Sequence, residues 1–425
     1  MMFLADDPTA GDVQSAVNAL WLLVAAALVL IMTPGVAFFY GGMVKAKSVV
    51  SMMMMSFGAM GLIGVLWVIY GFGMSFGTGG IPGLVGNPFD SSNPLFLLTG
   101  LLGAGDNPGS MSPELPQLAF VGFQATFAII TVALISGAIA DRAKFGAWMV
   151  FAGIWGTIVY FPVAFWVFNL GNGWASAWGV NDFAGGTAVH INAGAAGLAL
   201  ALVLGKRIGF QKGIQKPHNV PLTLLGASLL WFGWFGFNSG SEAAVDGVAA
   251  IAWINTLAAP AAAIIGWLIV EKIKDGKATS IGAASGAVTG LVAITPACNI
   301  LTPGWGLLLG LLAGGLCCLT IELKFKLGFD DSLDVVGIHL IGGLFGTLYI
   351  GIFGAGIGLI DTGSFAQLGK QAGAAFAVMG YSFVLAWIIG TIIQKTMGFR
   401  ITSEDEIAGV DTAVHGEESY ALDPA

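Results

Sequence analysis

Charged side chains are scarce in this chain: Asp, Glu, Lys and Arg make up 9% of its 425 residues, against about a quarter in a soluble domain. Water cannot be the solvent for most of its surface. Cysteine is rarer still, with three residues. Cys298, Cys317 and Cys318 have no metal-ligand or redox spacing and read as small buried apolar residues. No metal or other cofactor is expected, and no nucleic-acid partner. The N-terminus, MMFLADDPTAGDVQ, lacks the positive n-region of a signal peptide, so the first apolar segment reads as a retained span. The net charge of −8 comes mainly from loops and tail and says little about partners.

Apolar residues dominate instead, at 56%, with 65 glycines. Apolar runs of about 18 residues or more, enough to cross a hydrocarbon core, recur from end to end. Glycine is costly in a soluble helix but lets membrane helices approach closely. The basic residues fall in clusters at Lys45/Lys47, Arg142/Lys144, Lys206 to Lys216, Lys272 to Lys277, Lys324/Lys326 and Lys395/Arg400, with Lys370 alone outside them. Each stretch between clusters has room for two spans and a turn. If every cluster is cytoplasmic, the stretches are five hairpins, and the segment before Lys45 adds one span.

The expectation is an all-α integral membrane protein of eleven transmembrane helices, at about 15–42, 49–76, 117–140, 146–168, 185–205, 220–241, 248–271, 280–298, 305–326, 334–354 and 372–395. The N-terminus would lie outside and the C-terminus in the cytoplasm of a multi-pass cell-membrane protein. Residues 1–396 would form the transmembrane domain and 397–425 a cytoplasmic tail. The longest loop, about 77–116, would lie outside.

The first ten spans divide into two halves, about 15–205 and 220–354. Five is odd, so the second half enters the membrane upside down, a 5+5 inverted repeat with one extra C-terminal helix. Span five reads Asp182-FAGGTAV-His190 and span ten Asp331-SLDVVGI-His339. Both place a histidine eight residues after an aspartate, and small residues follow in both. His218 falls in a cytoplasmic loop and His415 in the tail, so His190 and His339 are the intramembrane pair, near the midplane. An ionisable residue there faces a cavity or the bundle interior; the competing reading is two unrelated interhelical hydrogen-bonding histidines. Asp182, Asp331 and Asp334 read as helix caps, with direct cation binding as the alternative for Asp182.

Otherwise the span interiors carry almost no charge. Nothing resembles a carboxylate site for coupled ions, a basic ring for anions or a carbonyl filter. A small solute that crosses uncharged fits such a lumen. Ammonium qualifies, because removing its proton at pH 7 costs about 4–5 kcal/mol for a lysine-like amine. A charged side chain at the bilayer centre costs roughly 10–17 kcal/mol in simulations. Water and urea would also fit. No nucleophile–base or metal-ligand constellation suggests an enzyme.

The chain resembles the ammonium transporter (Amt/Mep/Rh) family over nearly its full length. The resemblance rests on TPGVAFFYGG (33–42), GFQATFA (122–128), DFAGGTAVHINAG (182–194), KPHNVPL (216–222), WFGWFGFNSGS (231–241), GLVAITPAC (290–298), DVVGIHLIGGLFG (334–346) and the tail (398–420). It implies a homotrimer with one lumen per subunit, ammonium or ammonia as substrate with methylammonium as a candidate second one, and His190 and His339 as twin proton-relay histidines. It makes Phe127 and Phe237 a stacked gate, with Phe127, Phe168 and Ser241 in an outer vestibule. Asp182, Asn238 and Thr295 would support the site. One position departs from the bacterial pattern: alignment through Pro162 puts Phe168 where a tryptophan is usual, and Trp166 falls on another helix face. Glu242 beside Ser241 either adds negative potential or is merely solvated.

By composition the tail is disordered. By resemblance it is an ordered regulatory segment, carrying Arg400, Gly409, Asp411, His415 and Glu417, that couples subunits and accepts a PII-type signal protein. The competing function is an ammonium sensor signalling through that tail. A Rh-like gas channel is disfavoured by the tail and the span count.

Overall fold

The computed structural model describes residues 9–89, 114–210 and 216–420; most of the loop expected at 77–116 lies outside them. Among the described residues, ten helices are long and apolar enough to cross a membrane. They are α1 (Val13–Met43), α2 (Ala46–Phe76), α3 (Leu118–Ile139), α4 (Phe145–Phe168), α5 (Gly186–Leu204), α6 (Val220–Glu242), α7 (Gly247–Asp275), α9 (Pro303–Leu327), α10 (Val336–Phe353) and α11 (Ala366–Thr396). The shorter apolar helix α8 (Ser280–Ile294) completes the eleven expected. Two details differ from the sequence reading. The first span carries a break at Ile31 between two helical pieces. The last begins at Ala366, which puts Lys370 inside the helix.

Small residues set the packing. On α9, a Cβ added to Gly310 or Gly314 would lie 2.0 or 2.1 Å from the Ala259 or Ala263 carbonyl oxygen of α7. On α6, a Cβ on Gly226 would meet the Phe39 backbone nitrogen of α1 at 2.2 Å. Lipid tails are as apolar as leucine, so such backbone approach, rather than escape from water, drives helices together here.

The two halves meet at α5 and α10. Gly194 and Gly343 each stand four residues after a histidine, and each lies against the other helix. An added Cβ on Gly194 would sit 2.6 Å from the Leu340 nitrogen, and one on Gly343 would sit 3.0 Å from His190 Cβ. Opposed positions thus make matching crossings, as an inverted repeat requires.

The basic clusters converge on one face. Lys47 reaches the Ile407 carbonyl, and Lys144 N–H donates to the Phe399 carbonyl. Arg142 is fully buried and donates to the carbonyls of Ala138, Ala140 and Asp330 and to Ser332 Oγ. Burial lowers its pKa to about 10. The tail is folded on this face. Thr402 caps α12 (Ser403–Ala408) by accepting from the Asp405 N–H. Arg400 pairs with Glu406 at 2.9 Å, and Gly409, at φ +135°, lies over Lys47. Asp411 accepts the Val50 and Ser51 N–H groups at 3.1 and 2.8 Å, capping α2. The His415 ring meets that of Phe145 at 5.3 Å, tilted by 60°, and Glu417 is exposed.

A histidine pair beneath stacked phenylalanines

Both histidines lie in π-turns that open their helices, Gly186–Ile191 and Val336–Leu340. Single π-turns often mark functional positions, because the extra residue re-aims side chains. What holds each turn is an aspartate. Asp182 accepts the N–H groups of Gly185, Gly186, Thr187 and Ala188 at 2.6 to 3.0 Å, two on each oxygen. Four of the orphan donors that a helix start leaves are satisfied by one buried carboxylate. Asp331 does the same for Val335 and Val336. Asp334 is the exception among the three expected caps. Its backbone is left-handed, at φ +61°, and its carboxylate takes Lys324 at 2.5 Å instead.

His190 and His339 meet edge to edge. Their Nδ1 atoms are 3.2 Å apart and the rings lie 22° from parallel. A hydrogen bond between like nitrogens needs one donor and one acceptor, so two neutral rings share a single Nδ1 proton and adopt opposite tautomers. Both side chains are buried, and His190 Nε2 has no protein partner. An imidazole nitrogen thus faces an apolar lumen lined also by Val36, Tyr40, Ile130, Leu230 and Val288. That space is narrow, about 10 Å³ for the centre of a water-sized molecule, roughly what one such molecule needs.

Phe127 and Phe237 stack above the histidines, with centroids 4.1 Å apart and planes at 19°. Phe168 meets Phe127 edge-on at 6.2 Å, so this expected vestibule residue does join the cluster. Trp166 points elsewhere, donating to the Leu84 carbonyl and packing on Tyr381. Ser241 Oγ donates to the Phe237 carbonyl at 2.8 Å, which leaves its lone pairs to accept. Glu242 follows it at the end of a short turn and is partly exposed.

Trp234 is a site residue that sequence reading missed. Its indole lies face-on to His190 at 5.4 Å. Its Nε1 donates to Thr295 Oγ1 at 2.8 Å, in a chain that continues through Asn238 to Thr256. Asn238 and Thr295 therefore orient the indole. The available signal was spacing: in WFGWFGFN, Trp234 stands three and four residues before Phe237 and Asn238, on one helix face.

Fold and site together define a polytopic α-helical membrane protein with a small apolar cavity beside a buried histidine pair. Residues 20–420 match the sequence model of the Ammonium Transporter Family, and the chain belongs to that family. An ammonium transporter of Mycobacterium tuberculosis (strain H37Rv) is 51% identical, covering 94% of this chain and 89% of its own. One from Bacillus subtilis (strain 168) is 43% identical, covering 95% and 98%. Among solved structures, Saccharomyces cerevisiae Mep2 aligns with a TM-score of 0.83 at 32% identity, covering 96% and 92% of the two chains. A protein described as a sensor Amt protein aligns with a TM-score of 0.86 at 29% identity, covering 95% and 100%.

Proposed function

We propose that the chain conducts ammonium nitrogen by separating it from its proton: the vestibule recruits ammonium, and ammonia crosses the lumen along His190 and His339. The observation that carries this reading is the buried histidine pair, joined Nδ1 to Nδ1 at 3.2 Å, with His190 Nε2 unpartnered in an apolar space. A neutral imidazole can hydrogen-bond ammonia and pass a proton, whereas a charged ammonium would find no counter-charge there. The stacked Phe127 and Phe237 form the gate through which the solute enters. On the same reading the protein is a multi-pass cell-membrane homotrimer with the N-terminus outside. Residues 1–396 transport, and 397–425 form a cytoplasmic tail that is the docking element for a PII-type protein. Methylammonium is the further substrate expected to share the route.

The test is current on an ammonium pulse in proteoliposomes, run beside an internal-pH assay. Wild type should give a current, and His190→Ala with His339→Ala should abolish it. Ammonia flux without current would replace this mechanism with a neutral channel. No signal in either assay, from folded inserted protein, would overturn transport. The sensor reading draws on the sensor Amt protein of similar fold, and that last outcome would favour it.

Phe168 offers a cation less aromatic surface than an indole would. Cation–π attraction at partly desolvated sites is worth about 0.5–2 kcal/mol and is strongest for tryptophan. Phe168→Trp should therefore lower the half-saturating ammonium concentration several-fold, with little change in maximal rate. An unchanged concentration dependence would remove Phe168 from the recruiting surface.

A further inference from the structure

Lys370, the basic residue that stands outside the sequence clusters, lies in the second turn of α11, at the end opposite Lys395. The two are about 37 Å apart along the helix at 1.5 Å per residue. One face of α11 packs against α5 and α10. The other turns outward: Gly373, Ala377, Gly380, Val384 and Ile388 are exposed at steps of three and four residues, the spacing of one helix face. Lys370, half-buried, extends that exposed stripe by one step, toward the end of α11 away from the basic clusters.

Trp178 sits beside it. The indole is 47% exposed and lies across Gly373, where an added Cβ would meet Cη2 at 2.7 Å. Lys370 Nζ lies over Gly179, 3.0 Å from where its Cβ would be. No described carboxylate pairs with Lys370. An ammonium with no described carboxylate partner thus stands at this end of α11, with an exposed indole one turn further along the helix. Tryptophan favours the headgroup level, and a lysine there extends its stem along apolar surface while its amine meets phosphate.

We propose that Lys370 and Trp178 form a binding site for the phosphate of an anionic phospholipid in the leaflet on the basic-poor face. The site is joined to the histidine helix. Gln367 Nε2 donates to the Gly179 carbonyl at 3.0 Å, and Gln371 exchanges two hydrogen bonds with the Asn181 backbone, at 2.7 and 2.8 Å. Asp182, the next residue, is the cap of α5. A lipid held at Trp178 and Lys370 braces the strap 178–182 from the membrane side, opposite the residues it supports. The inference needs only the membrane setting, so it stands or falls apart from the transport mechanism.

Native mass spectrometry of the full chain in detergent, titrated with phosphatidylglycerol or phosphatidylcholine, tests it. Lys370→Gln should weaken the tightest phosphatidylglycerol step about fivefold, the effect of one surface lysine on an anionic membrane. It should leave phosphatidylcholine binding unchanged, and Lys370→Arg should retain wild-type affinity. A melting temperature in lipid-free detergent equal to that of wild type would show that the fold is intact. Equal phosphatidylglycerol affinity in wild type and Lys370→Gln would overturn the proposal. So would an equal loss for both lipids, which would mean a non-specific apolar contact.

Discussion

Asp182→Ala is expected to destabilise the protein by about 3 kcal/mol or more and to abolish transport. The carboxylate accepts four backbone N–H groups and is buried. Hydrogen bonds to a charged group contribute about 1.5–3 kcal/mol each, and a buried donor left without a partner costs about 1–3 kcal/mol. Alanine removes every acceptor and strands the first turn of the helix that carries His190. Asp182→Asn should fall between, because a carboxamide keeps one accepting oxygen. Thermal unfolding in detergent and ammonium-pulse current would be measured for both variants. The alternative role, direct cation binding, makes a different forecast. Loss of charge would then stop transport in Asp182→Asn with no loss of stability. Both carboxylate oxygens are already occupied by backbone donors, which argues for the cap.

Arg207→Ala is expected to cost about 3–5 kcal/mol at pH 7, the usual penalty for removing one partner of a buried ion pair. Arg207 bonds Asp330 through Nε and Nη2 at 2.9 Å and Asp141 through Nη1 at 3.0 Å. Its side chain is 10% exposed, and those of Asp330 and Asp141 are 0% and 1% exposed. For Asp330, burial alone would raise the pKa, but the hydrogen bonds and charge of Arg207, helped by Arg142, outweigh it and hold the carboxyl below its ordinary value. A depressed carboxyl contributes stability that is full above its unfolded pKa, near 3.9 for aspartate. That contribution is lost as pH falls through the lower native value. Without Arg207, the burial of Asp330 is left unopposed by its main partner and the ionised carboxylate becomes a liability. Protonation then relieves it. The gap in melting temperature between wild type and variant should therefore be largest near neutrality and narrow toward pH 4. A gap independent of pH would mean that the guanidinium only fills space.

Particular residues show how far sequence reading reached. Spans were legible because an apolar run of membrane length admits few structures, and the basic clusters marked where the chain returns to one face. The last span starts at Ala366 rather than at about 372, which takes Lys370 into the helix; at a helix end a lysine's long stem lets its amine reach polar surroundings. The aspartate caps at 182 and 331 were legible from position alone, eight residues before each histidine. Asp334 was not, because whether a carboxylate caps or pairs depends on Lys324, which belongs to another helix. Composition implies a disordered tail and the resemblance an ordered one; its residues 397–420 are folded against the basic face. Few of its own residues are apolar, but Asp411 caps α2 and Arg400 and Glu406 pair, so the tail is ordered by the surface beneath it.

Sequence alone determined the membrane setting, the eleven helices and the presence of two matched histidines in opposed halves. These depend on residue type and on spacing along the chain, which the solvent and the helix period convert directly into structure. Tertiary packing decided the rest. Phe127 and Phe237 are two of 29 phenylalanines, and only the approach of α3 to α6 stacks them 4.1 Å apart. The Nδ1 contact between the histidines exists because Gly194 and Gly343 let α5 and α10 cross closely. The indole of Trp234 faces His190 because Thr295 and Asn238, from two different helices, hold it there. Such contacts join residues far apart in the chain, and no local propensity encodes them.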